Sequence, residues 1–178
     1  MIQWLKSLFT APDRTAPPTG SGQEAELLIA FEDFLTDRMD AFFPAVRDAF
    51  SDMFKTGLPD AAQRLHIGIF LDDPAFSFRV FAFDAANMSS DAPEPVQALN
   101  DTIDQLWPIV TNTEMDRYLI WETDPKWGRQ VALHQPLDDL NLSKFVFPWF
   151  QKIVSETRGD FRRPITASIH DITPAQAL

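Results

Sequence analysis

The chain has 178 residues, 45% of them hydrophobic, with 16 Phe and 5 Trp, and carries a formal net charge of −11 from 26 acidic and 15 basic side chains. That length fits one domain and the aromatics supply a core, while the excess of acid excludes a broad phosphate-binding surface, and with it nucleic acid as an expected partner. The absence of cysteine excludes a disulfide framework, thiolate metal sites and a cysteine nucleophile.

No apolar run reaches the roughly 18 residues of a membrane-spanning helix, so no integral membrane segment is expected. A cytoplasmic protein follows by elimination, and the charge favours a basic protein partner.

Trp4, Leu5, Leu8 and Phe9 stand at helical spacing at the start of the chain. This stretch is short, lacks a charged leading region and runs into Asp13, Arg14 and prolines, so it does not read as a secretory signal. Pro12, Pro17, Pro18, Gly20 and Gly22 then break regular structure. Residues 1–22 are expected to be an anchor helix and linker, 23–172 a single α+β domain, and 173–178 a polar tail. The anchor either folds back on its own domain or docks through Trp4 and Leu8 on a partner.

Ser21 and Glu24 have the spacing of a capping box. Behind them Leu27, Leu28, Phe31, Leu35, Met39, Phe42, Phe43, Val46, Phe50, Met53 and Phe54 recur every three or four residues, which predicts a long amphipathic helix. Pro44 has no amide for the carbonyl of Asp40 and should kink or divide it. Gly57 and Pro59 end it.

A hairpin follows. Leu65, Ile67, Ile69 and Leu71 alternate on one strand and Phe76, Phe78, Val80 and Ala82 on the next, with residues 72–75 as the turn. That register sets Leu71 against Phe76, Ile69 against Phe78 and Ile67 against Val80, apolar against apolar throughout. Asp91, Pro93 and Glu94 open a second helix with Val96, Leu99, Ile103, Leu106 and Trp107, which Pro108 closes or bends.

The pattern recurs. Residues 117–123 and 127–134 read as strands around an Asp124-Pro125-Lys126 turn, and Phe145, Val146, Trp149, Phe150, Ile153 and Val154 as a helix that Gly159 ends. The turns Asp73-Pro74-Ala75-Phe76 and Asp124-Pro125-Lys126-Trp127 share an Asp-Pro-x-aromatic form, from duplication or from common turn chemistry. A C-terminal strand is expected within 165–172. The expected fold is thus α+β. It has a long N-terminal helix, then two β-hairpin-helix units forming a mainly antiparallel sheet packed against helices, and an extra C-terminal strand.

Catalytic motifs are scarce. With 6 Gly there is no glycine-rich phosphate loop, and no Gly-x-Ser-x-Gly elbow occurs. None of His66, His134 and His170 has an i+4 His, and Pro136 bars a helix between His134 and Asp138, so no metal or cofactor is expected. The acidic pairs Asp72-Asp73 and Asp138-Asp139 fit a turn and a helix start. Arg79, Glu122 and His134 stand in strands near Trp121 and Trp127. They are either polar residues of a solvated sheet face or, around Trp121, the lining of a small-ligand pocket. Phe70, Phe81 and Phe83 lie opposite the apolar ladder of the first hairpin. A strand apolar on both faces is either covered twice or used as an interface.

The order helix, hairpin, helix, hairpin, helix in a small acidic chain resembles type III secretion chaperones and the bacterial YbjN-type domains, over roughly Ser21 to Arg158. The likeness is one of topology and no residue motif carries it, so it transfers no site residue. Those folds also place three strands before the middle helix where this sequence shows two. The resemblance implies a homodimeric α+β protein that binds other proteins without catalysis. A non-enzymatic, homo-oligomeric protein-binding module of chaperone, adaptor or immunity type is the expected function, with a homodimer as the expected assembly. The alternative is a small-ligand binder or enzyme built on Arg79, Trp121, Glu122 and His134.

Overall fold

A computed structural model describes residues 21–70, 77–86, 93–106, 110–118, 120–123, 126, 128, 130–134, 143–170 and 173–178, with backbone alone at 21–24, 112, 115–116, 120–123 and 130–134. The fold is α+β. Helix α1 (Ser21–Thr56) runs 36 residues without division at Pro44. Its stripe of Phe31, Leu35, Met39, Val46, Phe50 and Met53 is buried, which is what a three- and four-residue spacing delivers to one side of a helix. Pro44 leaves the carbonyl of Asp40 without a helical donor. One residue away, the carbonyl of Met39 accepts the indole N–H of Trp149 at 3.1 Å. Gly57 ends α1 at φ 87°, a left-handed conformation that a side chain resists.

Strands β1 (Arg64–Phe70) and β2 (Ser77–Phe83) pair antiparallel with Ile69 opposite Phe78 and Ile67 opposite Val80, the register that the apolar alternation predicts. The pairing of Leu71 with Phe76 and the turn between them lie outside the described residues. Helix α2 (Glu94–Leu106) buries Val96, Leu99, Ile103 and, unusually, Asn100. The short helix α3 (Asn112–Met115) begins with a capping box. Thr111 Oγ1 accepts from the Glu114 amide at 3.1 Å, and the Glu114 carboxylate accepts from the Thr111 amide at 2.9 Å. Arg38 of α1 also pairs with Glu114, and Tyr118, in the 3-10 turn Asp116–Tyr118, sets its ring 5.2 Å from Phe31 and 5.4 Å from Phe34. The sequence pattern begins a strand at Arg117. The structure holds Arg117 in that 3-10 turn instead.

Strands β3 (Ile120–Thr123) and β4 (Gln130–His134) form their own two-stranded sheet. Helix α4 (Ser143–Thr157) buries Val146, Phe147, Trp149, Phe150, Ile153 and Val154, and Gly159 follows at φ 51°. Strand β5 (Ile165–Ile169) then returns to pair parallel with β1, Leu65 opposite Ile165 and Ile69 opposite Ile169. The predicted polar tail contributes a short strand, β6 (Gln176–Ala177), antiparallel to β5, and the Leu178 amide donates to the Ile165 carbonyl at 2.9 Å.

The main sheet therefore has the order β2-β1-β5-β6, and the two hairpins do not share a sheet. Helix α1 packs against both α2 and α4. Their apolar stripes join one sheet face in a single core. That face consists of Leu65, Ile67, Ile69, Phe78, Val80, Ala82, Ile165, Ala167 and Ile169, all buried. Trp149 and Phe150 of α4 meet Phe78 edge-on at 6.3 and 4.8 Å, an arrangement that sets ring edges against ring faces.

Candidate interaction face

Alternation sends every second residue of β1, β2 and β5 to the side away from the helices. The register lays these residues out as a grid: Phe83 beside Arg64, Phe81 beside His66 and Thr166, Arg79 beside Gly68 and Ser168, and Ser77 beside Phe70. Phe70, Phe81 and Phe83 are partly buried, yet none belongs to the core cluster or packs against it. They pack on their own face.

Gly68 shows how. A Cβ there would stand 3.1 Å from the Phe81 ring and 3.2 Å from the Phe70 ring. The missing side chain lets both rings close over the strand from either side. Phe70 also lies 5.2 Å from the His170 ring. His66 ties β1 to β5, with Nδ1 2.9 Å from Thr166 Oγ1 and Nε2 3.1 Å from Ser168 Oγ. Burial first, and the nearby Arg64 second, hold the His66 pKa below its usual value, so the imidazole is neutral at pH 7. Ser168 and His66 have the separation of a nucleophile and its base. The second imidazole nitrogen, however, meets the Thr166 hydroxyl and not a carboxylate that would hold a developing imidazolium. The arrangement serves as a cross-strand tie.

At Val80 the outer edge of β2 is capped by a side chain. The Asn100 carboxamide accepts from the Val80 amide and donates to the Val80 carbonyl, both at 2.9 Å, reproducing the pair of bonds a neighbouring strand would make. This explains a buried Asn on α2, and it removes a template for strand addition.

Of the sequence-derived pocket residues, Arg79 stands exposed on the outer face and donates to both carboxylate oxygens of Asp104 on α2, at 2.8 and 2.9 Å. Their side chains are 45% and 48% exposed, so solvent screens the pair strongly. Ser77, Phe78, Arg79 and Asp104 line an open hollow of about 300 Å³. Trp121 and Glu122 lie on β3 and His134 on β4, in the other sheet, where the register sets Trp121 against Ala132 and Ile120 against His134. Their side chains, like Trp4 and Leu8, lie outside the described residues. No group of three or more His, Asp or Glu placed to hold a metal ion occurs among the described residues, and no described helix is long and apolar enough to cross a membrane.

Sequence reasoning overlooked Arg64, His66, Thr166 and Ser168 as members of one face. Sequence proximity gives no hint of it, because His66 meets its hydroxyl partners only through parallel pairing with a strand about a hundred residues on. No family model, curated protein or solved structure matches this chain.

Proposed function

We propose that the chain is a non-enzymatic protein-binding module, of the chaperone, adaptor or immunity kind, and that it binds through the outer face of its four-stranded sheet. The carrying observation is Phe70, Phe81 and Phe83 set on a face that the core does not use. Large rings kept at a surface cost solvation unless something covers them, and aromatics concentrate where proteins meet. Asn100 takes the backbone groups of Val80 that an added strand would use, which disfavours strand addition at the middle of β2.

A photoreactive amino acid at Ser77, in cells expressing the full chain, tests this. The expected result is a crosslink to another protein that disappears when Phe81 is replaced by Ala. A crosslink indifferent to Phe81→Ala, or none at all, overturns it.

The small-ligand alternative keeps one observation of its own, the hollow beside Arg79. A metabolite-library thermal-shift screen tests it. A compound that raises the melting temperature of the wild type and not of Arg79→Ala would support that reading.

A further inference from the structure

The outer face opposes the charge of the whole molecule. Its positions on β1, β2 and β5 carry Arg64, His66 and Arg79 and not one Asp or Glu, in a chain with 26 acidic side chains. Arg79 is committed to Asp104, and His66 is neutral and held by two hydroxyls.

Arg64 is different. Its guanidinium lies over the Phe83 ring, 4.6 Å from the centroid, and its Nε is enclosed without an acceptor. Arg38, Arg47, Arg79, Arg162 and Arg163 each face a carboxylate, whereas Arg64, like Arg117 and Arg158 elsewhere in the fold, forms no ion pair among the described residues. With Nε enclosed, the terminal N–H groups of the guanidinium remain as a planar fork, the geometry that receives a carboxylate on two bonds.

We propose that this face takes an acidic, apolar segment of a partner protein, with one carboxylate of that segment on Arg64 and one apolar side chain on Phe70 and Phe81 beside Gly68. This rests on the protein-binding reading above. Four residues of strand separate Arg64 from Gly68, roughly 13 Å at the rise of a β-strand. The carboxylate and the apolar side chain are therefore about three to five residues apart in an extended segment.

Charge decides among the occupants. A second copy set face to face by a two-fold axis would bring Arg64 and Arg79 toward a surface equally free of acid. Residues 1–20 do set Leu8 and Phe9 five and four residues before Asp13, but Lys6 and the adjoining Arg14 leave that stretch net positive, and the Ser77 crosslink below separates it from a partner segment. A nucleic acid strand needs several uncommitted cations in a row, and this face offers Arg64 within a chain of charge −11.

The test is an array of short synthetic peptides, each with one Leu or Phe and one Asp, Gln or Lys at a varied distance, probed with the full-length chain. Asp peptides should be retained about tenfold better than their Gln counterparts, as a charge-assisted pair requires, with an optimum at the spacing given above. Arg64→Gln should abolish the Asp preference and keep the dependence on Leu or Phe. Arg64→Lys, which keeps the charge and loses the fork, should restore part of it.

Retention that needs Phe81 but treats Asp and Gln alike overturns the carboxylate inference and leaves the protein-binding reading standing. Retention that never depends on Phe81 overturns that reading itself. Three further results overturn the acidic segment as occupant: tighter binding of single-stranded oligothymidine, a dimer in sedimentation that Phe81→Ala dissociates, or a crosslink from Ser77 into residues 1–20 of the same chain.

Discussion

The two faces of the main sheet are made from alternate residues of the same strands, yet they obey different physics. On the inner face Leu65, Ile67, Ile69, Phe78, Val80 and Ala82 are all at most 2% exposed, because α1, α2 and α4 supply apolar stripes to meet them. The outer face also carries large rings, but its packing is lateral. Phe70 and Phe81 close over Gly68, Phe83 lies under Arg64, and His66 bonds sideways to Thr166 and Ser168. Stability is concentrated on the side where elements stack. The rings of the other side, outside the core, contribute less to it.

Phe78→Ala puts that contrast to its hardest test. Phe78 is buried against Trp149 and Phe150, so truncation should cost about 3–5 kcal/mol in chemical denaturation. Phe81→Ala, on a partly exposed ring outside the core, should cost about 1 kcal/mol, in keeping with the smaller area it buries. Equal losses for the two would show that the outer face is covered as the inner one is. Between them falls Asn100→Leu, which leaves the Val80 amide and carbonyl without their partners and should cost about 1–3 kcal/mol. Hydrogen exchange at the Val80 amide should accelerate more than the global loss explains.

The smallest expected effect is on pH dependence. His66 has its pKa lowered in the folded chain, by burial and then by Arg64, while the unfolded chain keeps the ordinary value near 6.5. The unfolded chain thus binds the proton more readily. This contribution to stability is complete above about pH 6.5 and is lost as pH falls through that value toward the folded pKa. His66→Gln should flatten that part of the stability profile. An unchanged slope would mean that other groups cause it.

What could be read in the sequence was what lies close together along the chain. The register of Ile69 with Phe78 and Ile67 with Val80 followed from alternation around one turn, and the helix stripes followed from their period. Pro44 was expected to kink or divide α1, and the helix is not divided there, since burial of residues on both sides outweighs one lost hydrogen bond. Thr111-x-x-Glu114 carried a capping signal as clear as Ser21-x-x-Glu24, in a stretch short enough to pass for connection. The parallel pairing of β1 with β5 left no local mark. Nor did β6, because Gln176 and Ala177 are exposed and carry no apolar alternation. The candidate site was half legible for the same reason. Phe70, Phe81 and Phe83 showed as a second apolar face, but the net charge of −11 pointed to a basic partner. The register gathers arginine and histidine where that charge would not place them.

The tie between His66 and its hydroxyls also sets an order in time. Thr166 and Ser168 follow His66 in the chain by 100 and 102 residues. At synthesis rates of about 5–20 residues per second, the 82 residues from the end of β2 to the start of β5 mean that β1 and β2 are made roughly 4–16 s before β5. In that interval the β5 side of β1 has no strand to pair with and His66 lacks its anchors. Long-range parallel pairing is among the slower steps a chain can take. The nascent chain therefore holds Phe70, Phe81 and Phe83 before it can complete the sheet that orders them. The polar third of the face, His66 with Thr166 and Ser168, marks a chain that has finished.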